Sequence, residues 1–328
     1  MSFMQDDEYI ILMDIAMKTG RMFVIDELKK FFDCGIRTVM WCGPFWDSYL
    51  SDDFQTFHPE YIDNYLNKVY KSGMKAIIPL WQKQSTKYTQ DYYVRRKEGT
   101  VFGMLSPWNP EARRRNNELF VKVRDEYTSD NCIIVNGQAE NGERVLLNSA
   151  AYYDDCAVKH WQQDHSGRPE SLTEAGANWL KKFYTDLLLE QQKLVMEGQH
   201  HEIWYMLARY KALKLIQNQH GCNWIDDYLA TWKTLNPVCI NHINFNYFNY
   251  GTSWYPVIQK EMDDWGVHEW VGAEYCEGLR SGNGLLAVKN GLRGLILGPC
   301  HPFTNHETVE PWMLTEIKKT IKAFEARK

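Results

Sequence analysis

The chain has 328 residues, 44% of them hydrophobic and 24% charged, with a formal net charge of -5 and a pI near 6.1. That length buries a large core and matches an α/β barrel running as one unit. The mild acidity, with no basic stripe, argues against a nucleic-acid partner. No apolar stretch approaches the length of a membrane span, and the opening MSFMQDDEYIILMDIAM has no basic leader region. The expectation is a cytoplasmic chain with no membrane partner. Eight cysteines, none in a CxxC pair, argue against both structural zinc and a disulfide framework.

In chain order, the first apolar run is YIILMDI from Tyr9. FVIDELKKFFDC then places Ile25, Leu28 and Phe32 on one helical face, and Gly35 follows. The same phrase recurs: PEYIDNYLNKVYKS sets Tyr61, Tyr65, Leu66 and Val69 on one face before Gly73, and a third such glycine is Gly291. Each glycine opens a segment that reads Gly, apolar, basic, small, then an apolar run: GIRTVMW, GMKAIIPLW and GLRGLILG. Glycine suits the left-handed residue that ends a helix. The basic residue is expected at the solvated strand entry, with a strand buried on both faces after it. The repeated phrase is therefore the βα unit of a parallel sheet.

With that template the remaining strands are TVMWCG from Thr38, KAIIPLW from Lys75, CIIVNG from Cys132 and EIWYML from Glu202, where WYMLARYKALKLI suits a helix equally well. Then come VCINHINF from Val238, EWVGAEY from Glu269 and LRGLILG from Leu292. Further helices are expected after Pro169 and over YPVIQKEMDDWG. Eight strands alternating with helices predict an α/β fold, a (β/α)₈ TIM barrel, as a single domain over residues 1–328. The longest insertions, 82–110 and 136–169, follow the third and fourth strands, where long βα loops build the active face of a barrel. A doubly wound sheet would call for a Gly-rich phosphate loop after the first strand, and DIAMKTGRM is not one.

Glu140, in VNGQAENGE, falls just past the fourth strand, and Glu274, in VGAEYCEGL, just past the seventh. Strand ends three positions apart in a closed barrel lie across its mouth from one another. Two carboxylates about 5 to 5.5 Å apart are the pair that retaining glycoside hydrolysis needs, one protonated and one ionised. Glu143 and Glu277 are the rivals if the loops begin later. Trp41 and Trp81 end the second and third strands, where an indole either stacks on a sugar ring or caps the core, and Trp46 and Trp108, in loops, suit a binding wall. Asp14, at the end of the first strand, binds a sugar hydroxyl or holds a loop. His200, His201, His242, His301 and His306 are scattered, with no HxH after the first strand and no HExxH, so no metal is expected.

Here the chain resembles a family. Glutamates after strands four and seven are the arrangement of the retaining glycoside hydrolase superfamily of (β/α)₈ barrels. The likeness is closest to the catalytic barrel of β-galactosidases of the thermostable, Asn-Glu type. SPWNPEARRRNNELFVKVRDEYTSDNCIIVNGQAENGE resembles their run through a helix into the acid/base strand, and AAYYDDCAVKHWQQDH resembles the segment that follows. The resemblance implies Glu140 as general acid/base, Glu274 as nucleophile, and Tyr247 (or Tyr250) orienting that nucleophile. It also implies a carbohydrate substrate and no cofactor. The family places Asn before its acid/base where this chain has Ala139, with Gln138 or Asn141 as substitutes, and Trp after strand eight where this chain offers His301 and Phe303. Hydrolysis, transfer to another sugar and sugar binding without catalysis all stand as readings of this pattern, and the oligomeric state is left open.

Overall fold

The structure is a computed structural model of the full chain. It describes residues 3–14, 22–41, 58–80, 92–136, 153–169, 173–197, 204–208, 238–242, 270–273, 279–280, 282–289, 291, 293–298 and 309–327.

Ten strands are described: β1 (Ile10–Asp14), β2 (Thr38–Trp41), β3 (Lys75–Leu80), β4 (Tyr93–Arg95), β5 (Val101–Leu105), β6 (Cys132–Asn136), β7 (Trp204–Ala208), β8 (Val238–His242), β9 (Trp270–Ala273) and β10 (Gly294–Leu297). The helices are α1 (Ile25–Asp33), α2 (Pro59–Lys71), α3 (Pro110–Tyr127), α4 (Asp155–Trp161), α5 (Glu174–Met196), α6 (Asn283–Lys289) and α7 (Pro311–Glu325). Eight strands pair in the order β1-β10-β9-β8-β7-β6-β3-β2 and close on themselves, each ladder parallel. All eight coincide with the apolar runs picked from the sequence. The stretches 209–237 and 243–269, where the helices after β7 and β8 are expected, lie outside the described residues.

Alternation along the strands sorts side chains into two layers. Ile11, Met13, Met40, Ile77, Ile133, Val135 and Ile296 form one cluster with no helical member, so they fill the barrel interior. Their neighbours Ile10, Leu12, Val39, Trp41, Ala76, Ile78, Leu80, Ile134, Leu295 and Leu297 join a second cluster with Leu28, Phe31, Ile62, Tyr65, Leu66, Phe120 and Ile317 of the helices. This is the layer between sheet and helices.

Helix ends follow local chemistry. Asn109 accepts the N–H groups of Glu111 and Ala112 at 3.0 and 3.1 Å, and Pro110 opens α3. Gly35 and Gly73 close α1 and α2 with φ of 104° and 82°, and Gly291 follows α6 at 75°. The recurrent glycine is thus a left-handed stop in all three places.

The basic residue after each glycine is not merely solvated. Arg37 caps α1 by donating to the Phe32 carbonyl at 2.5 Å, with its guanidinium 4.0 Å over the Phe32 ring. Lys75 donates to the Phe3 carbonyl at 2.7 Å and to Glu8 at 3.2 Å. Arg293 donates to the carbonyls of Glu8 and Gln5, both at 2.6 Å. Together with Thr38 Oγ1, which donates to Glu8 Oε2 at 2.8 Å, these contacts fasten the N-terminal segment across the N-terminal end of the barrel. Phe3 and Met4 then complete the interior cluster from that end.

Between β3 and α3 the sequence suggests only a long loop. The structure places an antiparallel hairpin there, β4 on β5, closed by Arg96 N–H to the Thr100 carbonyl at 2.9 Å, with Gly99 left-handed at φ 88°. Among the described residues no helix is long and apolar enough to cross a membrane.

Candidate active site at the barrel mouth

The C-terminal strand ends are Asp14, Trp41, Leu80, Asn136, Ala208, His242, Ala273 and Leu297. In the closed order β7 and β8 separate β6 from β9. Glu140 stands four residues beyond the end of β6, and Glu274 directly follows β9. Both glutamates lie outside the described residues. So do Trp81, Gln138, Asn141, Tyr247 and His301, and with them Trp46, Glu143, Glu277, Tyr250 and Phe303. The described candidates are Asp14, Trp41 and Trp108.

Asp14 and Trp41 are register partners, and both point outward, away from the interior set of Met13 and Met40. Asp14 is fully buried, accepts the Phe23 N–H at 2.8 Å and pairs with Lys68 Nζ at 2.9 Å. Burial pushes its pKa up, while Lys68 and the Phe23 N–H pull the other way. Of its two sequence readings, the loop-holding one fits: the carboxylate ties the end of β1 to the entry of α1 and to α2.

Trp41 is 6% exposed and stacks on Tyr65 of α2, ring centroids 4.9 Å apart. Lys68 sits 4.9 Å over the other partner's ring, that of Tyr65. Of its two sequence readings, a sugar platform at the mouth or core filling, the second fits: its side chain lies in the sheet–helix layer. The reason is parity, because Thr38 and Met40 take the inward positions of β2 and leave Val39 and Trp41 facing the helices.

Trp108 is also 6% exposed. It packs against Trp179 and Phe183 at 5.1 and 4.7 Å, in a cluster with Ala157, Trp161 and Leu187. It walls a cavity on the flank between α3 and α5 rather than standing free in a loop.

A link between the two long βα excursions has no counterpart in the sequence reading. Ser106, just past β5, donates its hydroxyl to Asp154 Oδ1 at 2.9 Å, and the Tyr153 N–H donates to the Arg95 carbonyl at 3.0 Å. Asp154 Oδ1 also accepts the Ala157 N–H at 3.0 Å, capping α4. Its Oδ2 is buried without a hydrogen-bond partner. Burial is the leading cause of a raised Asp154 pKa. The available signal was Asp154 itself, a good N-cap residue before DCAVKHW. The excursion carrying Glu140 is therefore anchored at β6 on one side and to the hairpin on the other. Among the described residues no group of three or more His, Cys, Asp or Glu is placed to hold a metal ion.

No protein-family profile and no curated protein matches the chain. Solved structures do. The catalytic domain of β-amylase from Paenibacillus polymyxa superposes with a TM-score of 0.60 at 12% identity, covering 98% of this chain and 99% of that one. The β-galactosidase of the psychrophilic Marinomonas ef1 gives 0.56 at 10% identity over 96% of this chain, and that of the Antarctic haloarchaeon Halorubrum lacusprofundi gives 0.58 at 11% over 97%. What they share is the fold. The chain spans 59% and 58% of the two β-galactosidase chains.

Proposed function

We propose that the protein is a (β/α)₈ glycosidase that works by double displacement, with Glu140 as general acid/base and Glu274 as nucleophile. The observation that carries the reading is the strand order, which sets two strands between β6 and β9 while a glutamate follows each within four residues. The likeness of fold to the β-amylase and β-galactosidase structures supports the glycosidase part of this reading. Glu140, protonated, gives its proton to the glycosidic oxygen as Glu274 attacks the anomeric carbon. Glu140, now ionised, takes the proton of the incoming water or sugar hydroxyl, and the bond to Glu274 breaks. In this scheme Gln138, Asn141, Trp81, Tyr247 and His301 are the substrate contacts, and no cofactor takes part. Trp41 is withdrawn from that set because its ring is spent on Tyr65.

Ala139 favours a second reading, a barrel that binds sugar without cleaving it, since the resembled family has Asn there. Activated aryl β-glycosides and nucleotide sugars separate the two. Glycosidase chemistry predicts turnover by wild type, loss in Glu274→Ala, and recovery with azide as a glycosyl azide. Saturable sugar binding with no turnover of any donor establishes the second reading.

A further inference from the structure

β3 and β6 are neighbours in the barrel, and a long excursion follows each. The β4–β5 hairpin belongs to the first excursion, and residues 137–152, with Glu140, belong to the second. The two meet where the second returns. The Tyr153 N–H donates to the Arg95 carbonyl at 3.0 Å, and Ser106 Oγ donates to Asp154 Oδ1 at 2.9 Å. These bonds close a circuit. It runs from β6 through 137–152 to Asp154, across to Ser106, and along the hairpin back to β3. The β3–β6 ladder, from Ala76 beside Cys132 to Leu80 beside Asn136, completes it.

A helix cap alone does not account for this contact. Capping α4 needs only Asp154 Oδ1 and the Ala157 N–H, 3.0 Å apart. Ser106 reaches the same oxygen from 48 residues away. Its backbone is held on both sides: its N–H donates to the Tyr92 carbonyl at 2.6 Å, and its carbonyl accepts the Asn109 N–H at 3.1 Å. The hairpin has a fixed base, because Tyr93 is buried in the sheet–helix layer and Val101 packs against that layer. Across the bond, α4 packs through Ala157 and Trp161 into the cluster of Trp108, Trp179 and Phe183. Ser106 and Asp154 are both buried. An apolar pair costs less to bury, but it can slide, whereas a hydrogen bond fixes distance and direction.

Glu140 stands four residues beyond β6, so the strand by itself does not set its place. A general acid works only within hydrogen-bond reach of the oxygen it protonates, and a misplacement of about 1 Å costs on the order of a hundredfold. We propose that Ser106 and Asp154 are positioning residues for the acid/base: their bond fastens the return of the Glu140 excursion to the hairpin and so holds Glu140 against the leaving oxygen. This role rests on the glycosidase reading.

The test compares kcat/KM of the full-length protein on dinitrophenyl and phenyl β-galactosides and β-glucosides. Dinitrophenolate leaves without a proton and phenolate needs one, so a misplaced acid penalises the phenyl substrates selectively. General loosening of the fold lowers both alike. Glu140→Ala is the reference and shows the split in full. Ser106→Ala, which leaves the α4 cap intact, is expected to lose about tenfold or more on the phenyl glycoside and less than about twofold on the dinitrophenyl one. Asp154→Asn, whose amide oxygen still accepts from Ser106, keeps phenyl turnover, and Asp154→Ala loses it. If Ser106→Ala does not fold, Asp154→Ser, which keeps a cap but draws back from Ser106, is read in its place. A split in Glu140→Ala beside equal losses, or none, in Ser106→Ala overturns the positioning role and leaves the glycosidase reading standing. Wild type that cleaves neither kind of substrate, or Glu140→Ala without the split, removes that reading and the positioning role with it.

Discussion

Truncating Trp41 separates its two possible roles. Only 6% of the residue is exposed, and its ring lies 4.9 Å from that of Tyr65 at an interplanar angle of 17°. A tryptophan buries about 150 to 250 Å², which at about 25 cal/mol per Å² gives roughly 4 to 6 kcal/mol; measured losses for such truncations centre on about 3 to 5. Trp41→Ala is therefore expected to lower unfolding stability by about 3 to 5 kcal/mol in urea titrations. The stacking itself shows in a double-mutant cycle. Trp41→Leu and Tyr65→Leu should couple by about 0.5 to 1.5 kcal/mol. A sugar platform behaves differently: its loss leaves stability within about 0.5 kcal/mol of wild type and weakens saccharide binding. That outcome, with no coupling to Tyr65, would overturn the assignment of Trp41 to the sheet–helix layer.

The other expectations concern single interactions. Gly73→Ala forces an L residue into φ 82° and sets a Cβ 3.2 Å from Phe32 Cε2, so thermal or urea unfolding should show a loss of about 1 to 2 kcal/mol. Asn109→Ala removes the acceptor for two N–H groups at the start of α3 and should cost about 1 kcal/mol by the same measurement. Lys68→Met strands the fully buried Asp14 carboxylate and should destabilise by roughly 3 kcal/mol at neutral pH, much of it recovered when Asp14→Asn is added. Asp154 has a folded pKa raised by burial, so its ionised form is disfavoured in the native state. Its contribution is most favourable below the unfolded pKa of about 3.9 and is lost as pH rises through the folded pKa. Measured from about pH 4 to 7, the stability of Asp154→Asn relative to wild type should therefore climb; a flat difference would remove the burial argument.

The strands were legible because burial on both faces writes a continuous apolar run, and each was bounded by punctuation. Gly35, Gly73 and Gly291 marked helix stops that only a residue tolerant of positive φ fills cheaply. The β4–β5 hairpin was not legible. Its strands are short, and TVFGML continues from a charged turn, RRKEG, that reads equally well as open loop. The Ser106–Asp154 bond spans 48 residues, and no local pattern encodes a contact at that distance.

Aromatic residues at strand ends show why position in sequence does not settle function. Trp41 closes β2 at the face where barrels do chemistry. Strand alternation then allows only every second residue to face the interior, and Met13 and Met40 already hold those positions on β1 and β2. Asp14 and Trp41, one residue later on each strand, are sent to α2, where Lys68 and Tyr65 receive them. A hydrophobicity pattern does not reveal this parity when both faces are buried, because inward and outward positions are equally apolar. Polar residues at the other end of β2 and β3 do reveal it. Lys75 and Thr38 meet Glu8 inside one end of the barrel, which fixes Ile77 and Met40, two residues on, as interior. On β2 and β3 the polar residue at the N-terminal end thus shares the interior phase, and on β2 that phase is what turns Trp41 toward the helices.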